Sequence, residues 1–454
     1  MYKPYKTPIV TASPDIKVRE PRVSKFVVFL VNLLGRLYLF LYFGVVRTVL
    51  HGDSLIDAFK RHLAGESRCI LAFRHPNGGE PQILTMFTLF KLRRVAAKRG
   101  VRFSRRPHAV FLYGFEVTRY GGWPARYVMP NLGAMPIHHS KVDSTGMRRV
   151  YNYITEGDYP LALAPEGQVS YFTDSVPHLE SGVIRMGFHA AQHLADKKND
   201  CPVEILPVSI HFRFGILGNV LMNRLLKKIE KNCGFSGGNK GDLSFAERLR
   251  RCRDHVLKIN EGRYNINSDE SLPFDKRLEQ VVYAALETAE RMLDLKSEGD
   301  FFSRLYKVRQ ICWDRIFLPG VDNFDDISPV ERSTLDLRAG EAWHIARHQE
   351  LADFGWYFHS PVPSEDSTLH QKIEYIQNLW DFASRTMGGA LSDRKNILLR
   401  KVIVYSAPVI NLSERLPDYK KDKKATIAAC ISDLEKAYLD CIDEVNNKME
   451  KDYE

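Results

Sequence analysis

Residues 70–84, ILAFRHPNGGEPQIL, join a buried-strand pattern to a tight turn and a helix start. The apolar run ends at His75, Gly78 and Gly79 supply the turn, and Glu80 with Pro81 opens a helix, proline being favoured at the first helical positions. An imidazole and a carboxylate thereby fall within one short loop. A carboxylate on one ring nitrogen fixes the tautomer and stabilises the imidazolium, leaving the other nitrogen to take a proton from an attacking hydroxyl. Taken alone, H-x-x-x-x-E is more often a strand-end histidine followed by a helix-start acid. Its weight depends on what surrounds it.

Outward from this stretch, strand-like runs stand at 69–73 (CILAF), 109–113 (AVFLY), 160–164 (PLALA) and 203–210 (VEILPVSI). Helix patterns fall between them at 81–98, 144–156 and 179–194. Such alternation predicts an α/β domain with a largely buried sheet. Pro207, inside an apolar strand pattern, suggests an edge, a bulge or a ligand-facing break. From Gly215 to about Arg400 the pattern changes to long, charged, amphipathic helices, for example 275–295 and 332–354. A strand-like run, KVIVYSAPVINL (401–412), and a helix pattern at 424–448 close the chain. A lone strand would expose its edges, so 401–412 is expected to rejoin the first sheet and make the core discontinuous.

The chain has 454 residues, 44% of them hydrophobic, with 65 Lys and Arg against 55 Asp and Glu. That is ample for packed cores and excludes intrinsic disorder and a disulfide-stapled miniprotein. Cys69, Cys201, Cys233, Cys252, Cys312, Cys430 and Cys441 are odd in number and scattered, without C-x-x-C, which argues for a reducing compartment and against structural zinc. Only one segment, FVVFLVNLLGRLYLFLYFGVV (26–46), approaches the ~18 apolar residues a membrane span needs, so a polytopic membrane protein is excluded. Residues 1–50 carry Lys3, Lys6, Lys17, Arg19, Arg22, Lys25, Arg36 and Arg47 against Asp15 and Glu20. An anionic cytoplasmic leaflet attracts such a flank with about 1 kcal/mol per nearby cation. The segment is therefore expected to associate with a membrane at its cytoplasmic face, whether spanning or interfacial. The run KLRRVAAKRGVRFSRR (91–106) is basic throughout and offers a surface for anionic headgroups or an acidic acyl-carrier partner; no aromatic-interleaved motif supports nucleic acid binding.

Three further stretches bear on the first: NLGAMPIHHSK (131–141), LALAPEGQVS (161–170) and EILPVSI (204–210). In order and spacing the four resemble the sequence blocks of the phospholipid/glycerol acyltransferase superfamily, and VIVYSAPVINLSERLPDY (402–419) resembles its late strand. The resemblance covers about 50–215 and 399–454. It implies a catalytic role for His75, with Glu80 in place of the usual aspartate, and acceptor-site roles for Gly133, His139, Lys141, Arg148, Arg149, Glu166 and Gly167. Pro207 matches the fourth block. Where arginine, Thr-Arg and lysine are usual, this chain has His139, Gln168-Val169 and Glu180, leaving Lys141, Arg148, Arg149 and Arg185 as substitute phosphate ligands.

The expected architecture is α/β: a mixed sheet flanked by helices, similar to a glycerolipid acyltransferase core, with an N-terminal membrane-associating helix and a large helical insertion. Its parts are 1–50, a basic tail and apolar helix; 51–215, the first part of the core; 216–398, the helical insertion; and 399–454, the last strand and helix. The implied activity is transfer of a fatty acyl group from acyl-coenzyme A or acyl-carrier protein to a glycerolipid or lysophospholipid hydroxyl of the membrane, without metal or other cofactor. The alternative is a catalytically weakened lipid-binding or scaffold protein of the same fold. Gly234–Gly238 satisfies G-x-S-x-G around Ser236, but lacks the strand-turn-helix context of a nucleophile elbow. His189 with His193, and His344 with His348 and Glu341, have metal-compatible spacing without a completing ligand motif and read as helix-surface histidines.

Overall fold

The computed structural model describes residues 8–138, 143–235, 243–267, 269–390 and 394–449, and the chain divides into two compact units. Before the insertion the elements run β1 (Ser13–Pro14), α1 (Lys25–Phe43), β2 (Val45–His51), α2 (Ser54–Ala64), β3 (Arg68–Phe73) and α3 (Glu80–Met86). Helix α3 continues through a π-helical stretch, Phe87–Leu92, into α4 (Arg93–Lys98). Next come β4 (Val110–Gly114), α5 (Val117–Tyr120), α6 (Gly122–Asn131), β5 (Met135–Ile137), α7 (Ser144–Glu156), β6 (Leu161–Leu163), α8 (Gly182–Asp196) and β7 (Val203–Phe214).

The insertion holds α9 (Ile216–Asn232), α10 (Phe245–Arg263), α11 (Phe274–Met292), α12 (Phe301–Ile316), β8 (Phe317–Leu318), α13 (Pro329–Tyr357) and α14 (Leu369–Thr386). The chain closes with β9 (Arg400–Ser406), β10 (Ile410–Asn411), α15 (Leu416–Lys421) and α16 (Lys423–Met449).

The α/β unit comprises residues 18–117, 121–213 and 398–454. Among the described residues its sheet runs β2-β9-β7-β3-β6-β4-β5, with β10 antiparallel on β7. The pairs β2·β9, β3·β7, β3·β6, β4·β6 and β4·β5 are parallel, so the sheet is mixed. Leu71 stands opposite both Ala162 and Leu206. Ile70, Leu161 and Ile205 pack with Val183, Ile184 and Phe188 of α8 and Leu434 and Tyr438 of α16 in one buried cluster. The alternate residues Leu71, Ala162 and Leu206 are fully buried as well, so both faces of the sheet are covered and the strands read as apolar runs rather than alternating ones. Val402, Ile403 and Val404 of β9 pair with β2 beside β7, so the late strand rejoins the first sheet across the whole insertion. Closure of a long loop grows only logarithmically in cost, and here the loop's two ends lie on neighbouring strands.

Pro207 does not mark an edge. It lies mid-strand in β7, in register with Ala72, and its carbonyl accepts from the Ala407 amide at 3.1 Å. In a parallel ladder one residue's N–H and C=O point to the same side. The missing donor therefore faces the gap in which β9 has ended at Ser406 and β10 has not begun.

The apolar segment is also shorter than the sequence suggests. Ser24 caps the start of α1, and Gly44, at φ 61°, ends it by bonding Leu39 and Phe40 carbonyls. Residues 45–51 then become edge strand β2. The helix is the one among the described residues long and apolar enough to cross a membrane, yet only 22% of it is buried. Its Gly35 face packs on Met86 and Phe90; a Cβ there would stand 2.2 Å from the Met86 sulfur. Phe29, Leu33, Leu37 and Leu41 face outward.

The second unit comprises residues 1–17, 118–120 and 214–397, and is described from residue 8. The helix starts carry capping boxes, Ser244 with Glu247, Ser328 with Glu331 and Thr368 with Gln371. Bidentate pairs Arg277–Glu261 and Arg304–Glu290 join helices of this unit. Contrary to the expected partition, residues 8–17 group here rather than with the apolar helix. β1 pairs with β8, and the Ala12 backbone bonds both Asp336 and Arg332 of α13.

Gly44 and Gly65 provide a test of how α1 is joined to β2. Both have left-handed backbone, which costs an L-residue about 1–2 kcal/mol. A Cβ at Gly65 meets nothing within 4 Å, whereas one at Gly44 would sit 2.5 Å from the Leu398 Cα. Denaturant unfolding should find Gly44→Ala clearly more damaging than Gly65→Ala; equal losses would show that this close approach does not constrain the fold.

Candidate active site

Strands β3 and β6 are neighbours, so the loops at their carboxyl ends meet although about ninety residues separate them in sequence. The first loop carries His75 and Glu80. Glu80 is fully buried, and its carboxylate accepts three bonds: His75 Nδ1 at 2.8 Å, the Asn77 amide at 2.8 Å and the Gly78 amide at 2.8 Å. Two of these donors are backbone N–H groups, whose protons cannot move. The carboxylate is thus held as an acceptor on both oxygens, and His75 Nδ1 carries the proton that completes the set. Nε2 is left as the basic nitrogen, on a side chain that remains 18% exposed.

The loop keeps this shape because its small residues leave room for others. Gly78, at φ 91°, lies beneath Val169 of the second loop. A Cβ on Gly79 would stand 2.7 Å from the Phe43 ring, so the last residue of α1 packs directly on the turn. Arg400, the first residue of β9 and 1% exposed, ties three segments together. Its Nε donates to the Phe43 carbonyl at 2.6 Å, its NH1 donates to Asn77 Oδ1 at 3.0 Å, and its guanidinium lies 4.3 Å from the Phe212 ring centroid. Asn77 is the residue whose amide holds Glu80, so Arg400 positions the dyad without touching it.

The second loop is fastened to the first from inside. Arg74, fully buried, donates from Nε to Glu166 at 2.5 Å and from its terminal nitrogens to the carbonyls of Thr173 at 3.2 Å and Ser175 at 2.6 Å. The Ser170 amide donates to the His75 carbonyl at 3.1 Å. Glu166 is therefore a buried partner of Arg74 and not an open acceptor contact. Burial, with the Glu166 charge nearby, holds the Tyr438 phenol well above its usual range, so a neutral ring covers this pair. Gly167, at φ 72°, lies under the Glu180 side chain; a Cβ would come within 2.3 Å of Glu180 Oε1.

The remaining sequence-derived positions are dispersed. Gly133 is a buried turn wedged between Val110 and Val23, at φ 82°, and offers no ligand surface. Arg149 pairs with Glu20 at 2.9 Å, Arg148 is exposed on α7, and Arg185 bonds Ser181. His139, Lys141 and Ser236 lie outside the described residues. His189 stacks on Tyr151 at 3.9 Å, and His348 bonds the Tyr264 hydroxyl at 2.8 Å. Arg74, Asn77 and Arg400 are the residues that motif spacing misses. The available signal was an arginine at the end and start of otherwise apolar strand runs, where only a buried partner makes its charge tolerable.

Compared with known protein families, with curated proteins and with solved structures, the chain matches none. The site's chemistry is accordingly argued from its own geometry.

Removing one partner of a buried ion pair strands the other charge and typically costs about 3–5 kcal/mol. Arg74→Met and Glu166→Leu should each destabilise the α/β unit on that scale, while the double variant loses clearly less than the two single losses added. Strict additivity in urea unfolding would show that the pair does not fasten the two loops.

Proposed function

We propose that this chain is a membrane-associated O-acyltransferase that uses a thioester donor, acyl-coenzyme A or acyl-carrier protein, and a glycerolipid or lysophospholipid hydroxyl as acceptor. The observation that carries this is the His75–Glu80 dyad on a buried, three-bonded carboxylate at the carboxyl edge of the sheet. The resemblance to the phospholipid/glycerol acyltransferase superfamily supplies the reaction class. His75 Nε2 removes the acceptor hydroxyl proton as its oxygen attacks the thioester carbonyl. The new C–O bond forms, the C–S bond breaks, and the proton returns to the departing thiolate. Glu80 holds the ring tautomer and balances the transient imidazolium.

Helix α1 supports the membrane part of the proposal. Its exposed Phe29, Leu33, Leu37 and Leu41 form a broad apolar surface of the kind soluble monomers rarely leave open. Both of its ends are tied to the same unit: the Ser24 amide donates to Asn131, and the Arg400 amide donates to Gly44. A helix so pinned, and packed through Gly35 on Met86, favours lying in the interface over spanning. Because Phe43 packs on Gly79, the interfacial end of α1 meets the catalytic turn, where a lipid hydroxyl would arrive.

Thiol release from an acyl thioester, measured with membranes and a panel of lysolipids, tests the reaction. His75→Ala should lower turnover at least ~100-fold. Glu80→Asp, which keeps the charge, should retain more activity than Glu80→Gln, whose NH2 would face one of the two backbone N–H donors in either orientation. Full activity in His75→Ala would remove the mechanism. An inactive wild type that still binds lipid would turn the assignment to the lipid-binding scaffold.

The membrane reading is checked without truncation, since residues 45–51 are sheet and not anchor. Leu33→Asp with Leu37→Asp, both at exposed positions, should shift the full chain from the membrane to the soluble fraction. Unchanged membrane recovery would contradict an interfacial α1.

A further inference from the structure

Three cations from three elements converge beside the open face of α1. Gly35 packs on Met86 and Phe90, which sets Arg36 of α1 next to Lys91 of the π-helical stretch. Lys91 Nζ in turn donates to the carbonyl of Thr48 in β2 at 2.7 Å, which brings it to Arg47, the preceding residue of that strand. Burial, then the positive charges of Arg36 and Arg47, lower the Lys91 ammonium from its usual range. Arg36 and Arg47 are both exposed.

Among the described residues no carboxylate bonds any of the three. In the basic run that follows, Arg99 pairs with Asp53 and Arg105 with Asp158. Like charges gathered without a counter-ion repel, and an anion from outside relieves the repulsion. Arg36 also shares its helix surface with Leu33 and Phe40, both exposed, so the anion would sit where an apolar surface meets a cationic one. A soluble phosphate uses only the second of these surfaces. An anionic phospholipid uses both, its acyl chains on α1 and its headgroup phosphate among the cations.

We propose that Arg36, Arg47 and Lys91 form a binding site for the headgroup phosphate of an anionic phospholipid, which selects the membrane surface on which α1 lies. This rests on the interfacial reading of α1, but not on the acyl-transfer chemistry. The site is distinct from the His75–Glu80 dyad in residues and in task. It holds a bilayer lipid and orients the protein, while the dyad acts on the acceptor hydroxyl.

The experiment is flotation of the full-length protein with phosphatidylcholine vesicles and with vesicles containing phosphatidylglycerol, with and without inorganic phosphate as competitor. Wild type should bind both and prefer the anionic vesicles. Arg36→Gln with Arg47→Gln should weaken binding to anionic vesicles roughly thirtyfold, from about a fivefold contribution per cation, and leave binding to neutral vesicles unchanged. Lys420→Gln with Lys421→Gln, the same charge change on α15, should behave as wild type. Preference for anionic vesicles retained in Arg36→Gln/Arg47→Gln, or lost equally in the Lys420/Lys421 control, would overturn the site. Loss of the preference at millimolar inorganic phosphate without loss in the double variant would likewise overturn it, placing phosphate recognition elsewhere. Wild type that binds no vesicle would overturn it together with the interfacial reading of α1, an outcome separate from any result of the thiol-release assay.

Discussion

The carboxylate of Glu80 is the constraint on which the rest of the α/β unit depends. A charge with no exposed surface is tolerated only where its acceptor capacity is filled, and here the chain folds its own backbone round it. The amides of Asn77 and Gly78 turn inward to reach the two oxygens, which requires left-handed backbone at Gly78 and a side-chain-free Gly79. The space left by Gly79 is filled by Phe43, so the end of α1 is fixed by the same turn. The third donor is His75, whose ring orientation is thereby settled before any substrate is present. A preset tautomer removes a reorganisation cost that a free histidine would bear during proton transfer.

Two buried arginines hold this turn in place from opposite sides. Arg74 draws the loop after β6 inward through Glu166 and the carbonyls of Thr173 and Ser175. Arg400 reaches from β9 to Asn77 and to the Phe43 carbonyl. The second contact explains why the chain must return to the sheet after the long helical unit: without β9 the turn lacks the side chain that fixes Asn77, and edge strand β2 lacks its partner. The discontinuity of the core is thus a requirement of the site as well as of the sheet edge.

The order of strands and helices was legible because apolar runs of strand length, spaced by helix-period patterns, admit few other arrangements. The return of 401–412 followed from the same logic of unpaired edges. β2 was hidden because VVRTVLH follows an apolar helix with only Gly44 between them, and apolar residues carry no mark of which period they obey. The dyad was legible because both members sit in one loop. The roles of Arg74 and Arg400 were not, since each acts through a partner that is distant in sequence, and a strand-end arginine looks the same whether it faces water or a buried carbonyl. Glu166 and Gly133 show the converse: positions in motif-like settings that turn out to serve packing, one by neutralising Arg74 and the other by fitting between Val23 and Val110.

The same packing bears on the acceptor. Close to the dyad, the loop after β6 presents Val169 over Gly78 and places the Glu180 carboxylate over Gly167. Neither side chain attracts a phosphate monoester. Arg149, a candidate to replace the usual arginines, is already paired with Glu20 across the surface. On the proposed reaction, charge recognition is therefore weakest where the family pattern would have it strongest, while Arg36, Arg47 and Lys91 gather beside α1. Anionic groups would then be met by the surface that holds the membrane, while the turn that holds the dyad receives a hydroxyl from an apolar side. That division of labour suits an acceptor whose headgroup stays with the bilayer interface, and it accounts for an apolar helix end, Phe43, built into the wall of the turn itself.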